Sequence, residues 1–496
     1  MKPERRRLWR ATALVALVGL GVTSCASSEK KNEGGTKSNA AGGQAAGPGN
    51  GRLLIVLDEA GRLASVDPKT GERRDLADMF VERGGLAVHS SGLALFQAKG
   101  KPDEDGEEGE PDGRVVVVDA NSGTATPTIG LKSRGGEYGD GAGDPEDLPI
   151  FAALREAGGG KRFVMIPSTS GTLLVNLEKR SAVDLSTTFG VPGKFGGQTK
   201  FSPDERWGIV NLQEKGLVLF STDEPAKHSA IDGFSLGFSG DGKLLFVDKA
   251  TENEPGKVWG QPVEGGDQVV FAEGDIRFRG SVGNSVVIAE PTTLYLSSRP
   301  GDRRPLDIPY DRNADDGPFV SPIGTGSRGL MFSGSEDRRW ALVDESDAKV
   351  TPLPALDKFT VVNVSEERIL FASGYNEDAR AASTFALLEV ASGTITPAAS
   401  WDPAGTNAGP PIASPDGRSV VISYDREGER GYRSILIKPG EGVTELNGGI
   451  EAWAPDGSAV LLVRVVDDKP HMIVLDLATK KEKDLGPGYG GVWTTS

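Results

Sequence analysis

One short turn motif recurs along the chain and constrains what the chain can fold into. It appears as Phe201-Ser202-Pro203-Asp204-Glu205, Phe238-Ser239-Gly240-Asp241-Gly242, Ala413-Ser414-Pro415-Asp416-Gly417 and Trp453-Ala454-Pro455-Asp456-Gly457. Proline presets φ and glycine supplies positive φ, so each copy suits a tight turn. An apolar run follows every copy: Gly208-Ile209-Val210, Leu244-Leu245-Phe246, Val420-Val421-Ile422 and Val460-Leu461-Leu462. Degenerate copies stand at Ser90-Ser91-Gly92 and Ser365-Glu366-Glu367. A second turn closes a later strand, as in Val66-Asp67-Pro68-Lys69-Thr70-Gly71, Val118-Asp119-Ala120-Asn121-Ser122-Gly123, Leu388-Glu389-Val390-Ala391-Ser392-Gly393 and Leu475-Asp476-Leu477-Ala478-Thr479-Lys480. The two turns alternate with short runs of Val, Ile, Leu and Phe, broken every eight to twelve residues by Gly, Asp, Pro and Asn, and no stretch keeps a helical apolar pattern for long. Each unit therefore reads as a four-stranded antiparallel meander, repeated about every 40 residues.

These Ser-Pro-Asp-Gly turns resemble the WD40-like repeats of the TolB family of envelope β-propellers, across most of residues 52–496. The resemblance implies an all-β β-propeller of four-stranded antiparallel blades and a general role in binding. It departs from that family in showing no α/β segment ahead of the repeats. About ten meanders can be read, whereas propellers typically have four to eight blades. One ring of seven to ten blades and two successive rings both stay open. Arg52 enters on what reads as a second strand and Gly490-Gly491-Val492-Trp493-Thr494 reads as a first, so one blade built from both ends is expected.

The first residues read as an export signal. Basic side chains in Met1–Arg10 precede an uncharged run, Ala11 to Ser24, shorter than the ~20 residues that span a bilayer. Val22-Thr23-Ser24-Cys25 follows and resembles the lipobox of bacterial lipoproteins. That resemblance implies a signal peptide over 1–24, diacylglycerol (and with it palmitate) attached to Cys25, and a chain held at the cell membrane or the outer membrane, facing the periplasm or the cell exterior. Cys25 is the only cysteine in the chain, and two acyl chains suffice for stable anchoring. Arg5-Arg6-Arg7-Leu8-Trp9-Arg10 also looks like a twin-arginine signal, with Glu4 in place of the usual hydroxyl residue. Export by the general secretory route or by the twin-arginine route is left open.

Residues 25–51 read as a flexible tether, since 26–51 carry no aliphatic side chain larger than alanine. The formal net charge of the whole chain is −16, and loss of the basic leader leaves the remainder more acidic still. Such a surface repels phosphate backbones and argues against nucleic acid as a partner.

Candidate chemistry is sparse. Gly233-Phe234-Ser235-Leu236-Gly237 matches G-x-S-x-G but leads into another turn and strand, so it reads as an inner strand of a blade rather than a nucleophile elbow. His89, His228 and His471 fall in different units with no metal-ligand spacing. Trp453, Trp493, Phe201 and Phe238 precede turns and read as packing between blades. The run Asp103 to Gly113 opens like a calcium loop, but Arg114 occupies the twelfth position, where a bidentate glutamate is required. A solvated acidic loop is the expectation, with weak Ca²⁺ binding as the alternative and no other cofactor.

In a meander the loops after the second and fourth strands emerge on one face. The insertions near 102–113, 252–255, 375–380, 425–429 and 467–469 follow second strands, and those at 135–147, 311–316 and 401–409 follow fourth strands. Binding sites concentrate on such loops. Residues 102–113 carry seven carboxylates and no base, and 134–148 carry five against Arg134. Asp103, Asp105, Glu107, Glu108, Asp140, Asp144 and Asp147 are therefore the candidate acidic binding rim. The expectation is a non-enzymatic, membrane-anchored scaffold for another envelope protein. The alternatives are an extracellular propeller hydrolase or lyase acting on a carbohydrate or lactone, and a structural envelope component.

Overall fold

The computed structural model describes residues 51–57, 61–81, 86–88, 92–99, 111–127, 158–159, 162–168, 171–191, 196–212, 216–249, 255–308, 317–324, 326–333, 339–357, 359–373, 384–401, 406–409, 411–426 and 432–495. Among them, ten four-stranded antiparallel meanders follow one another along the chain. Unit 1 joins Arg52–Val56, Arg62–Val66 and Arg73–Phe80 to the last strand, Gly490–Thr494. Units 2 to 10 occupy residues 86–127, 158–184, 196–231, 234–274, 277–305, 319–352, 360–400, 406–446 and 449–487. Strands are counted here from the first, innermost one in each unit. The rim that carries the 1–2 and 3–4 turns is the turn rim, and the opposite one is the loop rim.

Among the described residues the hydrophobic core is divided into ten clusters, each shared by two neighbouring units. Leu95 and Val117 of unit 2 pack on Val164 and Leu173 of unit 3. Ile209 and Leu219 of unit 4 pack on Val247 and Trp259 of unit 5. The series continues to the cluster in which Leu461 and Val474 of unit 10 meet Leu53, Ala64 and Trp493 of unit 1. The packing thus returns to where it began, which makes the fold an all-β propeller. Phe201, Phe238, Trp453 and Trp493 each belong to one of these inter-unit clusters.

The recurrent turn acts through its serine and aspartate. Ser202 Oγ donates to Asp204 Oδ1 at 2.6 Å, and the Arg206 and Trp207 amides donate to Asp204 Oδ1 and Ser202 Oγ. The same bonds recur at Ser239/Asp241 and Ser414/Asp416. In unit 10, Ala454 stands where the serine would be, and Ser458 Oγ donates to Asp456 at 2.7 Å instead. The Asp-x-x-Thr-Gly turns use their aspartate likewise: Asp67 Oδ1 accepts from the Lys69 and Thr70 amides, and Gly71 N donates to Asp67 O.

Three features were not evident in the sequence. A one-turn helix, Leu185–Thr188, follows unit 3, capped by Asp184 accepting from the Ser186 and Thr187 amides. The inner strand of unit 9 is split into Thr406–Ala408 and Ile412–Ala413, so the 401–409 insertion is partly strand. Between the halves Pro410 and Pro411 supply no N–H to a ladder. Units 6 and 7 are fused into one eight-stranded sheet by a parallel contact between their inner strands, Gly280 opposite Val320.

Candidate functional site

The second-to-third and fourth-to-first connections lie on the loop rim. Cys25, His89 and all seven acidic rim candidates (Asp103, Asp105, Glu107, Glu108, Asp140, Asp144 and Asp147) lie outside the described residues. What the structure does describe on that rim are the strand ends that carry the loops. Phe234 opens the inner strand of unit 5 and is 67% exposed, and Tyr432, 62% exposed, directly precedes the third strand of unit 9, Arg433–Lys438. Beside Phe234, Asp232 pairs with Lys249 at 2.7 Å. Asp248 lies opposite Phe234 in the ladder, and burial pushes its carboxyl up to about 6. In unit 10, His471 Nδ1 lies 2.9 Å from Asp484, and Arg464 forms a two-pronged pair with Glu482.

The inner wall holds polar groups that pattern reading missed. Lys200 is on the inner strand of unit 4 opposite Ile209, and so faces unit 5. Burial lowers its ammonium pKa, and no partner for it is found among the described residues. Ser235, the serine of the G-x-S-x-G sequence, is buried within the strand Phe234–Phe238, and its Oγ finds no hydrogen-bond partner there. Strand continues on both sides of it, so no elbow exposes the hydroxyl. Lys200 sits near the turn end of its strand and Asp248 near the loop end of its own, so the wall does not pair them. Only charge burial could have flagged either, and a lone lysine or aspartate in an apolar run is a faint signal.

His228 packs against the Phe189 ring at 4.7 Å, and His471 sits far along the chain in unit 10. Among the described residues no three of His, Cys, Asp and Glu gather as a metal site.

The turn rim is interlocked instead of open. Arg74 of unit 1 donates to Ser122 O of unit 2, and Arg180 of unit 3 pairs with Asp119 of unit 2 at 2.7 Å. Arg162 of unit 3 reaches Asp223 of unit 4 at 2.9 Å. Arg304 of unit 6 bonds Glu345 O of unit 7, Arg328 of unit 7 bonds the Val390 and Ala391 carbonyls of unit 8, and Arg368 of unit 8 bonds Asp416 O of unit 9. Lys483 of unit 10 closes the series on Lys69 O of unit 1 at 2.6 Å. Hydrogen bonds favour the ionised form of two aspartates of the Asp-x-x-Thr turns. The Thr70 amide lowers the pKa of Asp67, and the Thr479 amide lowers that of Asp476. A polar cleft of about 530 Å³, lined by Ser298, Arg299, Asp302, Arg304, Ser327, Glu345 and Ser346, lies where units 6 and 7 meet on this rim.

No family model matches the sequence, and no curated protein matches it either. Many solved structures do. A eukaryotic initiation factor is 10% identical, covering 90% of this chain and 98% of its own, with a TM-score of 0.44. The dihydro-heme d1 dehydrogenase NirN is 12% identical over 90% of this chain and 76% of its own, with a TM-score of 0.38. TolB from Acinetobacter baumannii is 11% identical over 67% of this chain and 82% of its own, with a TM-score of 0.24. Activities this diverse on similar strand arrangements say nothing of what this chain binds.

Proposed function

We propose that this protein is a lipoprotein, anchored through Cys25, whose propeller is a binding scaffold for another envelope protein. In this reading the ten units form a single closed ring. The observation that carries it is the contrast between the rims. On the turn rim, arginines and aspartates are taken up by bonds that run from unit to unit. The loop rim holds the strand ends joined by the longest and most acidic segments, among them 100–110 and 128–157, and it exposes Phe234 and Tyr432. An acidic rim with apolar points favours a basic protein surface or a divalent cation as ligand.

Two experiments test the reading. Crosslinked envelope should yield a partner with the wild-type chain. A variant with Asp103, Asp105, Glu107, Glu108, Asp140, Asp144 and Asp147 neutralised should capture less of it at low salt. Unchanged capture at low and physiological salt would leave the acidic rim a solubilising surface. Separately, Cys25→Ser should abolish labelling by a fatty acid, and labelling equal to wild type would remove the anchor.

A further inference from the structure

The rim on which the described chain begins bears on how an anchored ring would sit. Arg52–Val56 is the second strand of unit 1 and runs from the turn rim toward the loop rim, so Gly51 lies on the turn rim. That position is tightly set: Gly51 has φ +135, and a Cβ there would meet Thr494 O at 1.9 Å. The last strand, Gly490–Thr494, runs antiparallel to it and ends on the same rim.

We propose that attachment through Cys25 seats the turn rim against the membrane and directs the loop rim away from it. This rests on the Cys25 reading given above. A flexible segment of about 25 residues has a root-mean-square reach of roughly 25–30 Å. Turning the ring over would require that segment to pass two outer strands, about 10 Å, and then climb strands of about six residues, about 20 Å more. Holding the loop rim at the membrane would therefore keep that segment stretched to about its root-mean-square length around the ring, a loss of chain entropy that the turn rim, adjacent to the exit, does not incur. Electrostatics act in the same sense, because the acidic runs in 100–110 and 128–157 join strand ends on the loop rim and are repelled by anionic headgroups. A partner would therefore be met on the side facing away from the anchoring bilayer.

The test uses the mature chain from Cys25 onward, coupled through that sole thiol to a maleimide lipid in phosphatidylcholine vesicles containing one-fifth phosphatidylglycerol. A fluorescent non-natural residue replaces either Asp267, exposed on the 3–4 turn of unit 5, or Phe234, on the loop rim of the same unit. A headgroup-bound spin-label quencher reports proximity. Quenching at 267 should exceed that at 234 at least twofold. Equal quenching, or stronger quenching at 234, overturns the orientation. Because the coupling is chemical, this outcome is independent of whether cells lipidate Cys25, which the fatty-acid labelling decides by itself.

Discussion

Unit 1 and the junction of units 6 and 7 both hold neighbouring parts of the ring together, by different means. Unit 1 is built from the two ends of the chain. Its inner strand, Gly490–Thr494, pairs with Arg52–Val56 over five residues, and Trp493 is fully buried against unit 10. Thr494 Oγ1 donates to Arg52 O at 3.0 Å, and Gly92 N donates to Thr495 Oγ1 at 3.1 Å. At the junction no chain end is involved. Two inner strands touch directly because Gly280, at a bulge with φ +123, lets Val320 O approach to 1.8 Å of where a Cβ would stand. Glu345 of unit 7 then accepts from Asn284 N and Ser285 Oγ of unit 6, both at 2.8 Å. Closure by the chain ends rests on side-chain burial, whereas the junction rests on backbone approach. The first should yield to truncation of a side chain and the second to addition of one.

Trp493→Ala gives the largest expected effect, a loss of about 3–5 kcal/mol, because it empties a site where two units meet. Denaturant unfolding would read it, and Trp493→Phe should recover part of the loss. A Trp493→Ala protein as stable as wild type would mean that closure contributes little. Gly280→Ala sharpens the comparison through an internal control. Gly237 holds the corresponding position in unit 5 at φ +122, with nothing within 4 Å of its Cβ position. Gly237→Ala should carry only the conformational cost, about 1 kcal/mol, while Gly280→Ala should cost about 2–3 kcal/mol, the excess being the clash with Val320. Equal losses would show that the junction is not a seam. Arg328→Ala removes bonds to two carbonyls of the next unit and should cost about 1–2 kcal/mol.

The smallest effect is one of pH. The carboxyl of Asp248 is raised from 3.8 to about 6 in the fold, so its contribution to stability is full below pH 4 and is lost as pH rises toward 6. Asp248→Asn should remove that loss and gain about 1 kcal/mol at neutral pH, an amount reduced by partial exposure. The turn aspartates have the opposite sign: Asp67 and Asp476 are lowered, so their contribution is present above pH 4 and lost in acid. Stability profiles of wild type and Asp248→Asn from pH 4 to 7 should diverge as pH rises, and parallel profiles would disprove the assignment.

The repeat was legible because both turns depend on local chemistry. A serine or aspartate oxygen that accepts nearby backbone amides marks its turn in any single copy, and short apolar runs mark the strands between. The pairing of the two ends was legible for a related reason, since a unit missing its first strand and a strand missing its unit stand out in a regular array. The Gly280–Val320 contact left no such trace. Gly237 and Gly280 look alike in sequence, and only the approach of a strand about 40 residues further on separates them. For the candidate site the sequence offered a choice of rim, read from loop lengths and carboxylates, on residues that lie outside the described ones. Lys200 and Asp248 were not legible, because local pattern does not specify how deeply a single charged side chain in a strand is buried.

The ten shared clusters have a kinetic consequence. A linear array of repeats, each touching only its neighbours, melts from its ends, because an end unit has one interface to lose. When the last cluster joins unit 10 to unit 1, every unit has two, and no unit is terminal. Fraying is then suppressed, and any first unit to detach must break two interfaces at once. Opening should be slow and the remaining nine units, once opened, should unravel quickly. Half-life under challenge, more than melting temperature, is where a closed chain of this kind would differ from the same units left open.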